Sequence, residues 1–480
     1  MKAFSSLLLV GLGPLFALGA SYPLQDRSYL GAQVDSNIAG ITFHRANAMY
    51  NTTHNAPTYA TAARTQRLAF RGKKPNRRSA AHATSHLRHK RAGIPSQNIT
   101  AIDAMSAQYS ISVTWDGNDM SLLFDTGSSD TWAVRSDFTC RTSLDAVAEQ
   151  AACLWGPSLV NDFSHGQDPL LHFQTRYGSG EKVSGPLGRS DITIAGMTVT
   201  KQCVGLANDT YWNGNNATNG ILGMAYPALT SGYGGYDAGG ESSYRQTYQP
   251  IFSSMVSQGL VAPVFAVALE KGSQGGLVGW GGLPDISWTP MAIASTDILI
   301  ASVSSFPDAS SQYTFYTVVT DGIQYGQVQD SRKYLYIVDT GTTLMYLPPG
   351  KSRYSSVHYL EPKRSSVMLI IPMLPTSELA ESIAQSFSPP AIYLYQYGAY
   401  FAPCDASSPR IAIIINNVKL WLNPADLIYP DFKDSATGYC AIGITTGGEG
   451  PYILGDVFLQ SVMTVFDIGA AQMRFYGKYL

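Results

Sequence analysis

Apolar residues in this chain gather in short runs interrupted by Gly, Ser, Thr, Asn and Asp, a pattern of strands and turns more than of long helices. One run ends on an acid. Leu122, Leu123 and Phe124 lead straight into Asp125, and Thr126, Gly127, Ser128 and Ser129 follow as a turn. The pattern returns where Tyr336, Ile337 and Val338 deliver Asp339 into Thr340, Gly341 and Thr342. Downstream of each turn lies a second matched run, NGILGMAYP at 219–227 and YILGDVFL at 452–459, each with two aliphatics before a glycine. The chain therefore reads as two related halves that each supply one acidic turn. Two copies imply a pseudo-twofold pair, not a solenoid. A helix is expected over 378–387, where Leu379, Ile383 and Phe387 fall at i, i+4 and i+8.

Composition narrows the class. A length of 480 residues leaves room for two sizeable cores, and sparse charge (14%) with 45 Gly and 29 Tyr favours a β-rich globular enzyme over a helical bundle or a disordered chain. The charge is uneven. Residues 21–91 carry twelve Lys/Arg against two Asp/Glu, a net of +10, whereas residues 92–480 carry nineteen against thirty-two, a net of −13. Residues 1–20, with Lys2 before an apolar run that ends at Gly19 and Ala20, read as a secretory signal peptide. The basic stretch 21–91 has no clear strand or helix period and ends at the dibasic pair Lys90-Arg91, expected to mark a propeptide boundary. Sequons at Asn51, Asn98, Asn208 and Asn216 fit export as glycosylation sites. No membrane anchor or nucleic-acid partner is expected, and the destination is outside the cell or in a vacuole.

Five cysteines in an exported chain predict disulfides. Cys404 and Cys440 share the C-terminal half and are expected to pair, Cys140 and Cys153 bracket a short loop and are expected to pair, and Cys203 is left over in a strand. No CxxC spacing occurs and the histidines are scattered, so neither a metal nor a cofactor is expected.

Burying a carboxylate behind an apolar strand is costly unless it has a task. Two such acids facing one another cannot both ionise cheaply and would share one proton, one serving as base and the other as acid toward a water that attacks a carbonyl carbon. Gly127 and Gly341 allow close backbone approach; Thr126 and Thr340 can bridge the two turns; Ser128 and Thr342 can donate to the carboxylates.

Taken in order, FDTGSSDTW, YGSG at 177–180, NGILGMAYP, IVDTGTT and YILGDVFLQSVMTVFD resemble the pepsin-like aspartic proteases, over about residues 103–480. That resemblance implies an all-β, bilobal fold with a central cleft, an N-terminal lobe over 92–285, a C-terminal lobe over 286–480 and a monomer. It implies Asp125 and Asp339 as the catalytic pair, with a proton-sharing dyad for which this enzyme class is a standard example. Tyr177, flanked by Gly178 and Ser179, matches the flap tyrosine, and Trp132 its hydrogen-bonding partner. Leu123, Ile221 and Tyr177 are expected to line an apolar pocket that takes large hydrophobic side chains of a protein or peptide substrate. Thr218 stands where pepsin carries an aromatic, which predicts a less apolar pocket, and Glu181 would add tolerance for basic side chains. The basic leader would act as an inhibitory propeptide that acid releases from the acidic body.

Two features press against this reading. Residues 350–377 interrupt the pattern with a stretch that contains VMLIIPML, an apolar run ill suited to a surface, and a retained intron in the gene is one explanation. Other two-carboxylate functions also exist. A silent pepsin-fold peptide-binding protein would be expected to lose an acid or the flap tyrosine, and a glycosidase would not need the paired DTG and ILG runs.

Overall fold

The computed structural model describes residues 108–479 apart from 158–159, 236–243, 272–274, 285, 304–311, 349–377 and 449–450, together with the strand backbones 37–38, 41–44, 64–72 and 99–100. The expected signal peptide over 1–20, Asn51, Lys90-Arg91, Asn98 and the segment 350–377 therefore lie outside the described residues.

Nearly all regular structure is β. In Gln108–Trp115 the side chains of Tyr109, Ile111, Val113 and Trp115 fall on one face and are all buried, with Ser110 buried between them. Val264–Leu269, Ile411–Ile415 and Val462–Asp467 are instead buried at every position, as strands covered on both faces must be. The strand Val264–Leu269 pairs with Val462–Asp467, which pairs in turn with Gln472–Gly477, so the two halves share one sheet at the base of the molecule. Phe265 and Phe466 stack across that seam with centroids 4.5 Å apart.

Residues 21–91, read from sequence as lacking a strand period, depart from that reading. Arg64–Gly72 forms a strand between Gln108–Trp115 and Gly276–Trp280, antiparallel to both. Leu68 and Phe70 alternate there with Arg67 and Arg71, a short period-2 signal submerged in the surrounding basic residues. The buried Gln66 side chain donates to the Ser112 carbonyl at 2.6 Å.

The expected helix is present but ends early. It runs Glu378–Ala384 with Leu379, Ala380, Ile383 and Ala384 buried, and Phe387 is buried beyond its end. Ser388 precedes Pro389, which disfavours helical backbone at the residue before it and stops the helix short of 387. Cys140–Cys153 and Cys404–Cys440 are paired, and Cys203 is a free buried thiol in the strand Met197–Tyr211. Asn208 and Asn216 are both exposed.

Candidate active site

The two acidic turns meet at the floor of a cleft of about 1420 Å³ between the halves. Each acid ends its strand, and each strand is flanked by the downstream aliphatic run in parallel register. Ile221, Leu222 and Gly223 lie beside Leu123, Phe124 and Asp125, and Ile453 and Leu454 lie beside Ile337 and Val338. This explains the repeated glycine. A Cβ on Gly223 would sit 2.5 Å from the Ser129 carbonyl carbon, and one on Gly455 would strike the Thr342 and Leu344 carbonyl oxygens.

Four hydrogen bonds lock the turns together. Thr126 N–H donates to Thr340 Oγ1 at 3.1 Å, and Thr340 N–H donates to Thr126 Oγ1 at 3.0 Å. Each hydroxyl then donates onward, Thr126 to the Val338 carbonyl at 3.0 Å and Thr340 to the Phe124 carbonyl at 2.8 Å. Both side chains are buried, so every bond is dry and the donors have no other partner available from solvent.

Around the carboxylates the two halves match again. Gly127 N–H donates to Asp125 Oδ1 and Gly341 N–H to Asp339 Oδ1, each at 2.7 Å. The Ser128 hydroxyl donates to Asp125 Oδ2, and the Thr342 hydroxyl to Asp339 Oδ2 at 2.6 Å. A Cβ on Gly127 would collide with the Asp339 carboxylate and one on Gly341 with that of Asp125, so both glycines are required by close approach. Burial and the facing Asp339 charge push Asp125 up to about 8, against the opposing pull of Ser128 and Gly127. Each carboxylate lies against the glycine of the opposite turn, so the two face one another across the cleft floor. Asp125 therefore keeps its proton well above the ordinary carboxylate range.

Over the dyad stands the hairpin of Gln167–Arg176 and Lys182–Ile194, whose tip turns at Gly180 with φ +91°. Tyr177 accepts a hydrogen bond from Trp132 Nε1 at 2.8 Å, and burial with the nearby Asp130 and Asp125 charges holds its phenol protonated. Gly178 and Ser179 are exposed at the tip, where Ser179 donates to Glu181 at 2.8 Å. The other Glu181 oxygen accepts from Asn213 N–H at 2.8 Å.

Leu123, Ile221 and Tyr177 line the cleft. Thr218 does not. It is fully buried with its hydroxyl and amide both directed to Asn215 Oδ1, at 3.1 and 2.9 Å, and the aromatic wall comes from Trp212 instead. Trp212 stacks on Trp155 at 4.9 Å, and both pack edge-on to Trp132. Sequence reading missed Trp155 and Trp212, although one follows the Cys140–Cys153 loop and the other precedes a sequon. It also missed Asp456 in YILGDVFL. Asp456 is buried, neither of its carboxylate oxygens has a hydrogen-bond partner among the described residues, and burial with the Asp339 and Asp125 charges raises it well above the usual range.

A water between two such carboxyls can be deprotonated by the ionised one as its oxygen attacks a substrate carbonyl, while the protonated one donates to the carbonyl oxygen. The grip fixes both acids before substrate arrives, so no reorganisation is needed at the moment of attack. A bilobal β fold with paired acidic turns under a tyrosine-tipped flap defines an aspartic-type endopeptidase. The eukaryotic aspartyl protease family matches residues 108–476, and the chain belongs to that family. It is 31% identical over 419 residues to a probable aspartic-type endopeptidase of Aspergillus fumigatus, covering 84% of each chain. It is 27% identical to mouse cathepsin E, over 79% of this chain and 82% of that one. The fold is similar to the crystal structure of the aspartic proteinase from Irpex lacteus, with a TM-score of 0.52 at 20% identity, covering 77% of this chain and 94% of the other. Among the described residues no helix is long and apolar enough to cross a membrane.

Proposed function

We propose that the chain is an exported zymogen of an acid endopeptidase that cuts beside large hydrophobic residues. The observation that carries this reading is the dyad set beneath Tyr177 and against a wall of Leu123, Ile221 and Trp212. An apolar wall of that size favours a large side chain, worth about 1.5–3 kcal/mol when buried. The leader has a physical part in the zymogen. Its strand Arg64–Gly72 fills a place in the sheet, so cutting after Arg91 leaves that strand held only by non-covalent bonds. Its surplus of positive charge is attracted to the acidic body near neutral pH, and acid weakens that attraction as carboxylates take up protons. Residues 350–377 are the translation of a retained intron in this reading, and mature transcripts that contain the segment would overturn that part.

The test uses the full chain secreted from a eukaryotic host and moved from pH 7 to pH 3. The expected result is an N-terminus near residue 92 and cleavage of a denatured protein, blocked by pepstatin and absent in Asp125→Asn. Cut sites should be flanked by large apolar residues. A folded chain that binds pepstatin yet cleaves nothing between pH 3 and pH 7 overturns the reading in favour of a peptide-binding protein.

A further inference from the structure

The outer strand of the flap hairpin, Gln167–Arg176, is not an open edge. Gly232–Gly234 pairs with it antiparallel, placing Gly232 opposite Phe173, Tyr233 opposite His172 and Gly234 opposite Leu171. The pairing extends at both ends, where Gln174 N–H donates to the Ser231 carbonyl at 3.1 Å and Gly235 N–H to the Leu170 carbonyl at 2.8 Å. A returning segment backs it: Gly234 N–H donates to the Tyr244 carbonyl, Gln246 N–H to the Gly232 carbonyl, and Tyr233 and Arg245 form a bridge. The flap sheet thus gains an extra layer from 230–235 and 244–248.

This layer is bolted to the catalytic turn. Asp130 lies five residues after Asp125 and two before Trp132, the donor to the flap tyrosine. It is buried, and its Oδ1 accepts from Ser231 N–H at 2.8 Å and from the Tyr248 hydroxyl. Arg245 completes the anchor by donating to the Ala228 and Thr230 carbonyls at 2.6 and 3.1 Å. A buried carboxyl held by two donors is a stiff joint, because releasing either bond leaves a polar group unpaired in a dry site. The layer also reaches substrate space. Ser231 and Tyr233 line the cleft beside Gln174 and Thr175, on the side of the flap away from Trp212, and Tyr233 is backed by the His172 ring at 6.0 Å.

We propose that the segments 230–235 and 244–248 brace the flap through the Asp130–Tyr248 joint and form, with Tyr233, a fixed wall that binds substrate residues on one side of the cut bond. Tyr248 is a positioning residue and Tyr233 a specificity-determining one. An extended peptide that passes under a braced strand meets a preformed wall and loses less entropy on binding than one that must order a loose flap. The benefit is therefore confined to substrates that reach the wall.

The test uses the activated enzyme with three peptides sharing one cut site: a short core, the core lengthened at its N-terminus, and the core lengthened at its C-terminus. In the wild type, lengthening one end lowers KM about tenfold, or about 1.4 kcal/mol, and lengthening the other does not. Tyr248→Phe removes most of that gain with kcat within about twofold, and Tyr233→Ala removes it too. Amide hydrogen exchange reads the brace without catalysis, so loss of the protease activity and loss of the brace are told apart. In Tyr248→Phe, exchange across 170–175 quickens at least tenfold while that of 462–467 is unchanged, and Tyr233→Ala leaves both segments as they were. Unaltered exchange in Tyr248→Phe, or a KM change in it shared equally by all three peptides, overturns the proposal.

Discussion

Replacing Thr340 by alanine tests how the dyad is held. The hydroxyl accepts from Thr126 N–H and donates to the Phe124 carbonyl, and both of those groups are left in a dry interior when it is removed. Each orphaned buried group costs about 1–3 kcal/mol, so Thr340→Ala should destabilise the chain by roughly 2–6 kcal/mol. The reciprocal pair at Thr126 has the same geometry, with its hydroxyl serving Thr340 N–H and the Val338 carbonyl. Thr126→Ala should therefore cost the same within about 1 kcal/mol. Thr340→Ser keeps the hydroxyl and loses one methyl, for about 0.8 kcal/mol. The assay is urea unfolding followed by tryptophan fluorescence, with every variant carried on Asp125→Asn to suppress self-cleavage. In chains with Asp125 intact, kcat should fall for the alanine variants far more than for the serine one. If Thr340→Ser loses as much stability as Thr340→Ala, the grip is a matter of methyl packing and the hydrogen-bond account fails.

The dyad also sets a pH dependence. Asp125 is held up at about 8 in the folded chain against an ordinary carboxylate value near 3.8, so its contribution to stability is full below pH 3.8 and is lost as pH rises toward 8. Asp456, raised in the same direction, adds a loss of the same sign. Asp125→Asn should flatten the fall in unfolding midpoint over that window, and an unchanged slope would contradict the assignment. Tyr177→Phe leaves Trp132 Nε1–H without its acceptor; kcat/KM with a hydrophobic peptide should drop at least tenfold and stability by about 1–3 kcal/mol. Gly127→Ala places a methyl against the Asp339 carboxylate, so peptide cleavage should be lost even where circular dichroism reports a folded chain. Cleavage at the wild-type rate in that variant would mean that the two turns do not approach closely enough to require glycine.

What could be read from residues alone was what repeats or alternates. The two DTG turns and the two ILG runs carry the dyad because each half must build the same acid-bearing loop, and close approach of backbone demands glycine at matched places. Thr126, Thr340, Ser128 and Thr342 were legible for the same reason, since their offsets from each acid are equal. The strand Arg64–Gly72 was not, because a few alternating residues among many arginines gain a sheet position only when two partner strands from 108–115 and 276–280 lie on either side. Trp212 and Thr218 exchanged roles for a similar reason. Six residues apart in a loop, they are sorted into cleft wall and buried support by Asn215, whose carboxamide oxygen draws Thr218 inward. Asp130 looked like one more turn residue until the fold brought Ser231 and Tyr248 to it from over a hundred residues away. Local pattern records what each segment must do by itself. Which distant segment satisfies a buried charge is decided only when the chain closes on itself, since the low dielectric that makes the pairing necessary does not exist before folding.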